Sequence, residues 1–153
     1  MGLAELQARL ALLPGSIASG MLDQAQTLSD ALADRVRDKL SGDVLNVGTG
    51  ALRDSISSEV EQGNGAQASV YVDGNLPYAA IQEYGGVTKG YIIEAVNAKA
   101  LAFKWQGKQA FFKRVMHPGS VIPARSYLRS SLADMTGDII QGFTDALNEV
   151  LNP

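Results

Sequence analysis

Residues 76 to 87, Leu-Pro-Tyr-Ala-Ala-Ile-Gln-Glu-Tyr-Gly-Gly-Val, lie between two blocks of alternating residues, and side-chain chemistry fixes both ends of the stretch. Pro77 suits a first helical position: its φ is already helical, and the N–H it lacks has no partner there in any case. Gly85 and Gly86 stop the helix, since glycine accepts the left-handed backbone that commonly closes one. The stretch therefore predicts one short helix. Spacing of three and four puts Tyr78, Ile81 and Gln82 on one side, resting on a sheet. Glu83 and Tyr84 are then a polar and aromatic corner opening into a flexible loop, Gly85, Gly86, Val87, Thr88, Lys89 and Gly90. Loops held on a rigid scaffold are common binding elements. The same residues also read simply as a helix cap and hairpin connector.

Helical stripes flank this region. Leu3, Leu6, Leu10 and Leu13 form a short amphipathic helix, broken at Pro14-Gly15. Met21, Ala25, Leu28, Leu32, Val36 and Leu40 recur at steps of three or four, giving one apolar face over about five turns. Arg35, Arg37 and Lys39 suit the negative end of that helix, and Ser41-Gly42 closes it. Residues 44 to 50 read as loop, and Thr49 to Ile56 reads as a turn into either a short helix or the start of a strand. Residues 57 to 62 and 66 to 73 alternate as two strands joined at Gly63-Asn64-Gly65, a hairpin signal.

After the short helix, Tyr91 to Ile93 is strand-like. Leu101, Phe103 and Trp105 alternate with polar residues, and 109 to 117 return as a strand after Gln106-Gly107-Lys108. With three of four phenylalanines and the single tryptophan here, the sheet core is expected in this second hairpin. Pro123 opens a last helix to about Leu151, its stripe of Leu128, Leu132, Met135, Ile139, Phe143, Ala146 and Val150 covering one sheet face. The fold class is α+β: an antiparallel sheet of two hairpins with a short connecting helix, packed against long N-terminal and C-terminal helices. The chain reads as a single domain, with N-terminal helices over 1–42, a sheet region over 43–122 and a C-terminal helix over 123–153.

A chain of 153 residues buries about two thirds of its unfolded surface, enough for a core without staples. It has no cysteine, which removes disulfides and thiolate metal sites and fits synthesis in a reducing cytoplasm. No apolar run is long enough for a signal peptide or a membrane span. The net charge of −3, with acidic and basic residues mixed and no basic block, argues against nucleic-acid binding as the main task.

Catalytic sets are sparse. A serine nucleophile needs a base within reach, and His117 is the single histidine; paired with Ser120 or a carboxylate it would make a small hydrolase. It stands before Pro118-Gly119, which suits a strand end, and no Gly-x-Ser-x-Gly elbow occurs. One histidine and scattered carboxylates give no metal-ligand spacing, and no cofactor motif is present. Glu59, Glu61, Asp73 and Glu83 remain open as carboxylates that folding could pair for glycoside chemistry.

Three segments carry a resemblance. They are Thr49-Gly50-Ala51-Leu52-Arg53-Asp54-Ser55-Ile56; Pro77 to Gly86; and Val115-Met116-His117-Pro118-Gly119 with Ile122-Pro123-Ala124-Arg125-Ser126-Tyr127-Leu128. In order and spacing, over residues 49 to 132, they resemble the tail-component family of long-tailed bacteriophages, which includes tail terminator, tail completion and tail-to-head joining proteins. Gly86 departs from the family pattern, where threonine is frequent. The resemblance implies a structural virion protein, not an enzyme, without cofactors. Such a protein is made in the host bacterial cytoplasm and sits at the head-tail junction as a ring, six-fold by expectation. Its partners are copies of itself, the tail tube protein and the head-closure or connector protein; DNA passes through the lumen without specific binding, and no membrane is involved. A head-closure, neck or minor tail position in the same assembly is the alternative. In a ring of this kind each subunit offers two different patches. One is expected at a sheet edge beside Tyr84 to Lys89, by strand addition. The other is expected at Arg125 and Arg129, either pairing with a neighbour's Glu83 or Asp73 or serving as ordinary surface residues.

Overall fold

The structure, a computed structural model, describes residues 3–43, 49–63 and 65–152, apart from the side chains of Leu6, Arg9 and Asp43. Helix α1 (Leu3–Asp38) is its spine. At 1.5 Å per residue it is about 54 Å long. The stripe from Met21 to Leu40 is its inner face, with Ala25, Ala33, Val36 and Leu40 buried. The helix ends in a π-helical turn, Lys39–Asp43, where Gly42 takes a φ of 135°. Pro14 does not break α1, contrary to the expectation from sequence. This part of the helix lies largely in solvent, with Leu10 and Leu12 exposed, so the carbonyl that the proline leaves without a donor is not forced into an apolar interior. The Ser16 hydroxyl donates to Leu12 O nearby.

Helix α2 (Ala51–Asp54) is a single turn, and strand β1 (Ile56–Gln62) follows it, so the segment left open between helix and strand contains both. Strand β2 (Ala66–Val72) pairs antiparallel with β1 from Ile56↔Val72 to Gln62↔Ala66. The hairpin turns at Gly63, whose N–H donates to Gly65 O; Asn64 lies outside the described residues, as do residues 44–48 of the expected loop. This hairpin packs across α1. Ile56 joins Ala33, Val36, Leu40 and Tyr127 in the core, with Leu52, Val70, Val72 and Leu128 packed around them.

The C-terminal region differs from the single helix expected. It forms α4 (Tyr127–Asp134) and α5 (Thr136–Leu151), broken at the buried Met135. Helix α5 packs along α1 instead of covering the sheet, because the sheet already occupies another side of α1. The two helices approach closely: a Cβ at Gly20 would lie 3.2 Å from Val150, and one at Gly142 would collide with Gln24.

Between them, α3 (Pro77–Tyr84) is the predicted short helix, with Pro77 in its first turn. Of the expected loop, only Gly86 and Val87 are strand, and residues 88–90 remain without regular structure. β3 (Gly86–Val87) pairs with β8 (Val121–Ile122), β4 (Tyr91–Glu94) with β7 (Arg114–His117), and β5 (Leu101–Trp105) with β6 (Lys108–Phe112), all antiparallel. Together they make one two-stranded ribbon from Gly86 to Ile122, and residues 95–100 bow out opposite Lys113. The aromatic hairpin is therefore not the core. Trp105 is 62% exposed and Phe111 64%, since among the described residues the ribbon's main contacts are between its own strands.

The root of the ribbon depends on Gly85, with φ 73° and ψ 178°. This is not the left-handed cap expected from sequence but a region open essentially to glycine alone. A Cβ there would meet Ala124 N at 2.7 Å and Ile122 O at 2.9 Å. Replacing Gly85 with Val is expected to lower stability by about 1–3 kcal/mol from backbone strain alone, with the collision adding to it. Urea denaturation checks this, and an unchanged midpoint would contradict the geometry.

Candidate functional site

The segments that carry the resemblance meet at one place. Helix α4 begins at Tyr127 after Ser126, a non-glycine residue at φ 46°, and no side chain of its own segment caps it. The first N–H groups of a helix have no internal partner and carry partial positive charge. Glu83, from the last turn of α3, supplies what they lack. Its carboxylate accepts from Leu128 N–H at 2.8 Å, Arg129 N–H at 3.2 Å and Arg129 Nε at 2.9 Å. Arg129 Nη2 also donates to Glu83 O, and its guanidinium lies 4.8 Å from the centroid of the Tyr84 ring. The backbone completes the junction: Arg125 N–H donates to Gln82 O and Ser126 N–H to Glu83 O. Tyr127, 1% exposed, donates its hydroxyl to Ala79 O at 3.3 Å and reaches Ile56 in the core.

Of the polar and aromatic corner expected from sequence, Tyr84 is exposed, but Glu83 is 2% exposed and lies on the inner face of α3 with Ala79. The helix rests on the start of α4, and an acidic residue is what such a helix start favours. Burial pushes the Glu83 carboxyl up, but the N–H of Leu128, the side chain and N–H of Arg129 and its positive charge together outweigh it. The net effect is a pKa below the usual 4.5. At the other end of α4, Asp134 is held low by the hydrogen bond from Lys39 Nζ at 2.7 Å, with Arg35 adding a longer pair at 3.5 Å.

This arrangement corrects the pairing expected between subunits: Glu83 is enclosed and paired with Arg129 of its own chain, so it is not offered to a neighbour. Tyr84 is exposed, and Gly85 and Gly86 form the ribbon root. Val87 and Lys89 are exposed beyond it, while Thr88 is tied to Ser120 by N–H to O and N–H to Oγ1 bonds. Arg125 is exposed. Asp73 is exposed on the turn after β2, where it accepts from Gly74 N–H. Thus Glu83, Tyr84, Gly85 and Arg129 come together, and Val87, Thr88 and Lys89 lead away along the ribbon.

His117 stacks on Tyr91 at 5.1 Å, and its Nδ1 accepts from Gly119 N–H. No hydrogen bond joins it to Ser120 among the described residues. Those residues contain no group of three acidic or histidine side chains placed to hold a metal, and no helix long and apolar enough to cross a membrane. Compared with family models, curated proteins and solved structures, the chain gives no match.

Sequence reasoning missed the ribbon as a chemical unit, although its signal is countable. Residues 86 to 122 hold five lysines and one arginine against one glutamate; the rest of the chain holds seven basic and fifteen acidic residues. The charges that look mixed along the chain are divided between two parts of the fold.

Glu83→Gln is expected to destabilise the fold by about 2–3 kcal/mol, since an amide cannot replace a carboxylate among these donors. Because the folded-state pKa lies below 4.5, the stabilisation is full above that pH and is lost as pH falls through the depressed value. Urea midpoints measured from pH 7 down to pH 3, with Glu83→Gln showing a shallower decline, test this. At the alkaline end, burial, followed by the charges of Glu83 and Tyr84, pushes the Tyr127 phenol up to about 12 from 10.0. Its stabilisation is full below 10 and fades as pH rises toward 12, a decline that Tyr127→Phe is expected to remove.

Proposed function

We propose that this chain is a structural, non-enzymatic subunit of a long-tailed phage particle, assembling as a six-fold ring on the head-proximal end of the tail tube and joining it to the head-side connector. The observation that carries the reading is that the three segments of the family resemblance lie together in the fold. Glu83 and Gly85 of the second seat on Leu128 and Ala124 of the third and on Arg129 just beyond it, and Tyr127 packs with Ile56 of the first. Residues that agree with the family pattern are thus the residues that hold α3, α4 and the ribbon root in register.

The ribbon supports an assembling protein. A two-stranded hairpin alone is marginal in water, and this one leaves Tyr91, Ile92, Trp105 and Phe111 exposed. A surface of that kind suits a chain whose working state is an oligomer. The hydrolase reading draws less support, since His117 is engaged by Gly119 and Tyr91 at the ribbon root.

Light scattering of the purified protein is expected to reveal a species near six times the 16.2 kDa chain, seen as a ring with a central hole in negative-stain micrographs. Disruption of the gene in the phage that encodes it is expected to give tails of aberrant length or unjoined to heads. Normal tails still attached to heads would overturn the proposal.

A further inference from the structure

We propose that the ribbon from Gly86 to Ile122 is the arm by which one copy of this chain grips the next, its basic, aromatic tip seating in the acidic groove between α1 and α5 of the neighbour. The inference deepens the ring reading and rests on it for the occupant, a second copy of the same chain.

The arm's chemistry states what it needs. Its six cations enter no ion pair among the described residues, whereas in the body Arg35, Arg37, Lys39, Arg53 and Arg129 are all paired. At the tip, Trp105 stands opposite Lys108 and next to Lys104 around the Gln106-Gly107 turn, and all five residues are exposed. Trp105 shares a face with its cross-strand partner Lys108, while Lys104 lies on the opposite face, a tip suited to an apolar floor with carboxylates at its rim. Nucleic acid would satisfy the lysines but would leave the acidic groove of the body without a counterpart.

The body supplies that surface. Outside the ribbon the chain carries fifteen acidic residues against seven basic. The groove between α1 and α5 is lined by Asp23, Asp145 and Glu149 around Ala146 and Val150, with no lysine or arginine among its lining residues. Asp23 and Glu149 enter no ion pair among the described residues, and Asp145 accepts only the amide of Gln141 at 2.8 Å. Arm and groove are different surfaces of one chain, so the contact is head-to-tail and closes into a ring if its rotation permits.

The test is a charge exchange. Wild-type protein is expected to self-associate in sedimentation velocity, more weakly as salt rises from about 50 mM to about 0.5 M. Lys104→Glu with Lys108→Glu, and separately Asp145→Lys with Glu149→Lys, are each expected to weaken association about tenfold or more. All four positions are exposed, and circular dichroism melts report whether each variant is folded. Mixing the two variants is expected to restore association, because every reversed tip then finds a reversed groove and every native tip a native one. Trp105→Ser, at the exposed tip, is a second variant expected to weaken association with all charges intact. Association that persists in both charge-reversed variants, or a mixture that stays dissociated, would overturn the arm while leaving the ring reading standing. A wild-type chain that remains monomeric at low salt would overturn the arm. Binding of a fluorescent DNA duplex through the ribbon without self-association would overturn it too, and would assign the cations to phosphate.

Discussion

The carboxylate of Glu83 is the interaction on which the rest of the structure depends. A helix start needs acceptors for its first N–H groups, and α4 finds none in its own sequence, because Ser126 is turned into a left-handed conformation. The acceptor arrives from α3 instead, and with it comes the position of everything attached to α3: Tyr84, the glycine at 85 and the first strand of the ribbon. One buried side chain thus joins a local need, capping, to a global one, the placement of a long hairpin relative to the core.

Around that junction the fold is asymmetric. Helix α1 serves two layers, carrying the β1–β2 hairpin on one side and α5 along another, with the small residues Gly20 and Gly142 allowing the close helix approach. Apolar side chains from α1, β1 and α4 close the core around Tyr127. The ribbon has no such backing. The chain concentrates its large aliphatic packing on the body and leaves most of its aromatic surface on an element that pairs only within itself, a division suited to a protein completed by association.

What the sequence made legible was local. The α1 stripe, the turn at Gly63 and Gly65, and Pro77 at the start of α3 all follow from residues within a few positions of one another, where period and backbone preference decide. The α+β class with antiparallel pairing followed from the same signals. The burial of Glu83 was not legible, because its partners Leu128 and Arg129 lie some 45 positions later in the chain. A period of two says which residues of a strand share a face but not whether anything covers that face, so the Phe and Trp hairpin read as core. Pro14 was taken as a break for a related reason: its penalty depends on whether the freed carbonyl is buried, and there it is not. Arg129 was legible as a charge worth pairing, but its partner proved to be its own chain's Glu83.

The division of charge between ribbon and body makes each molecule a strong electric dipole carrying a modest net charge. Two copies at −3 repel as points, yet their opposite poles attract when a ribbon faces a body. At physiological salt the field decays over about 8 Å, so this preference acts only in the last nanometre of approach. In the proposed assembly it would align a copy as it arrives, rather than gather copies from a distance. An assembly built this way discriminates by orientation at the moment of contact, and a copy arriving back to front is turned away by its own charge.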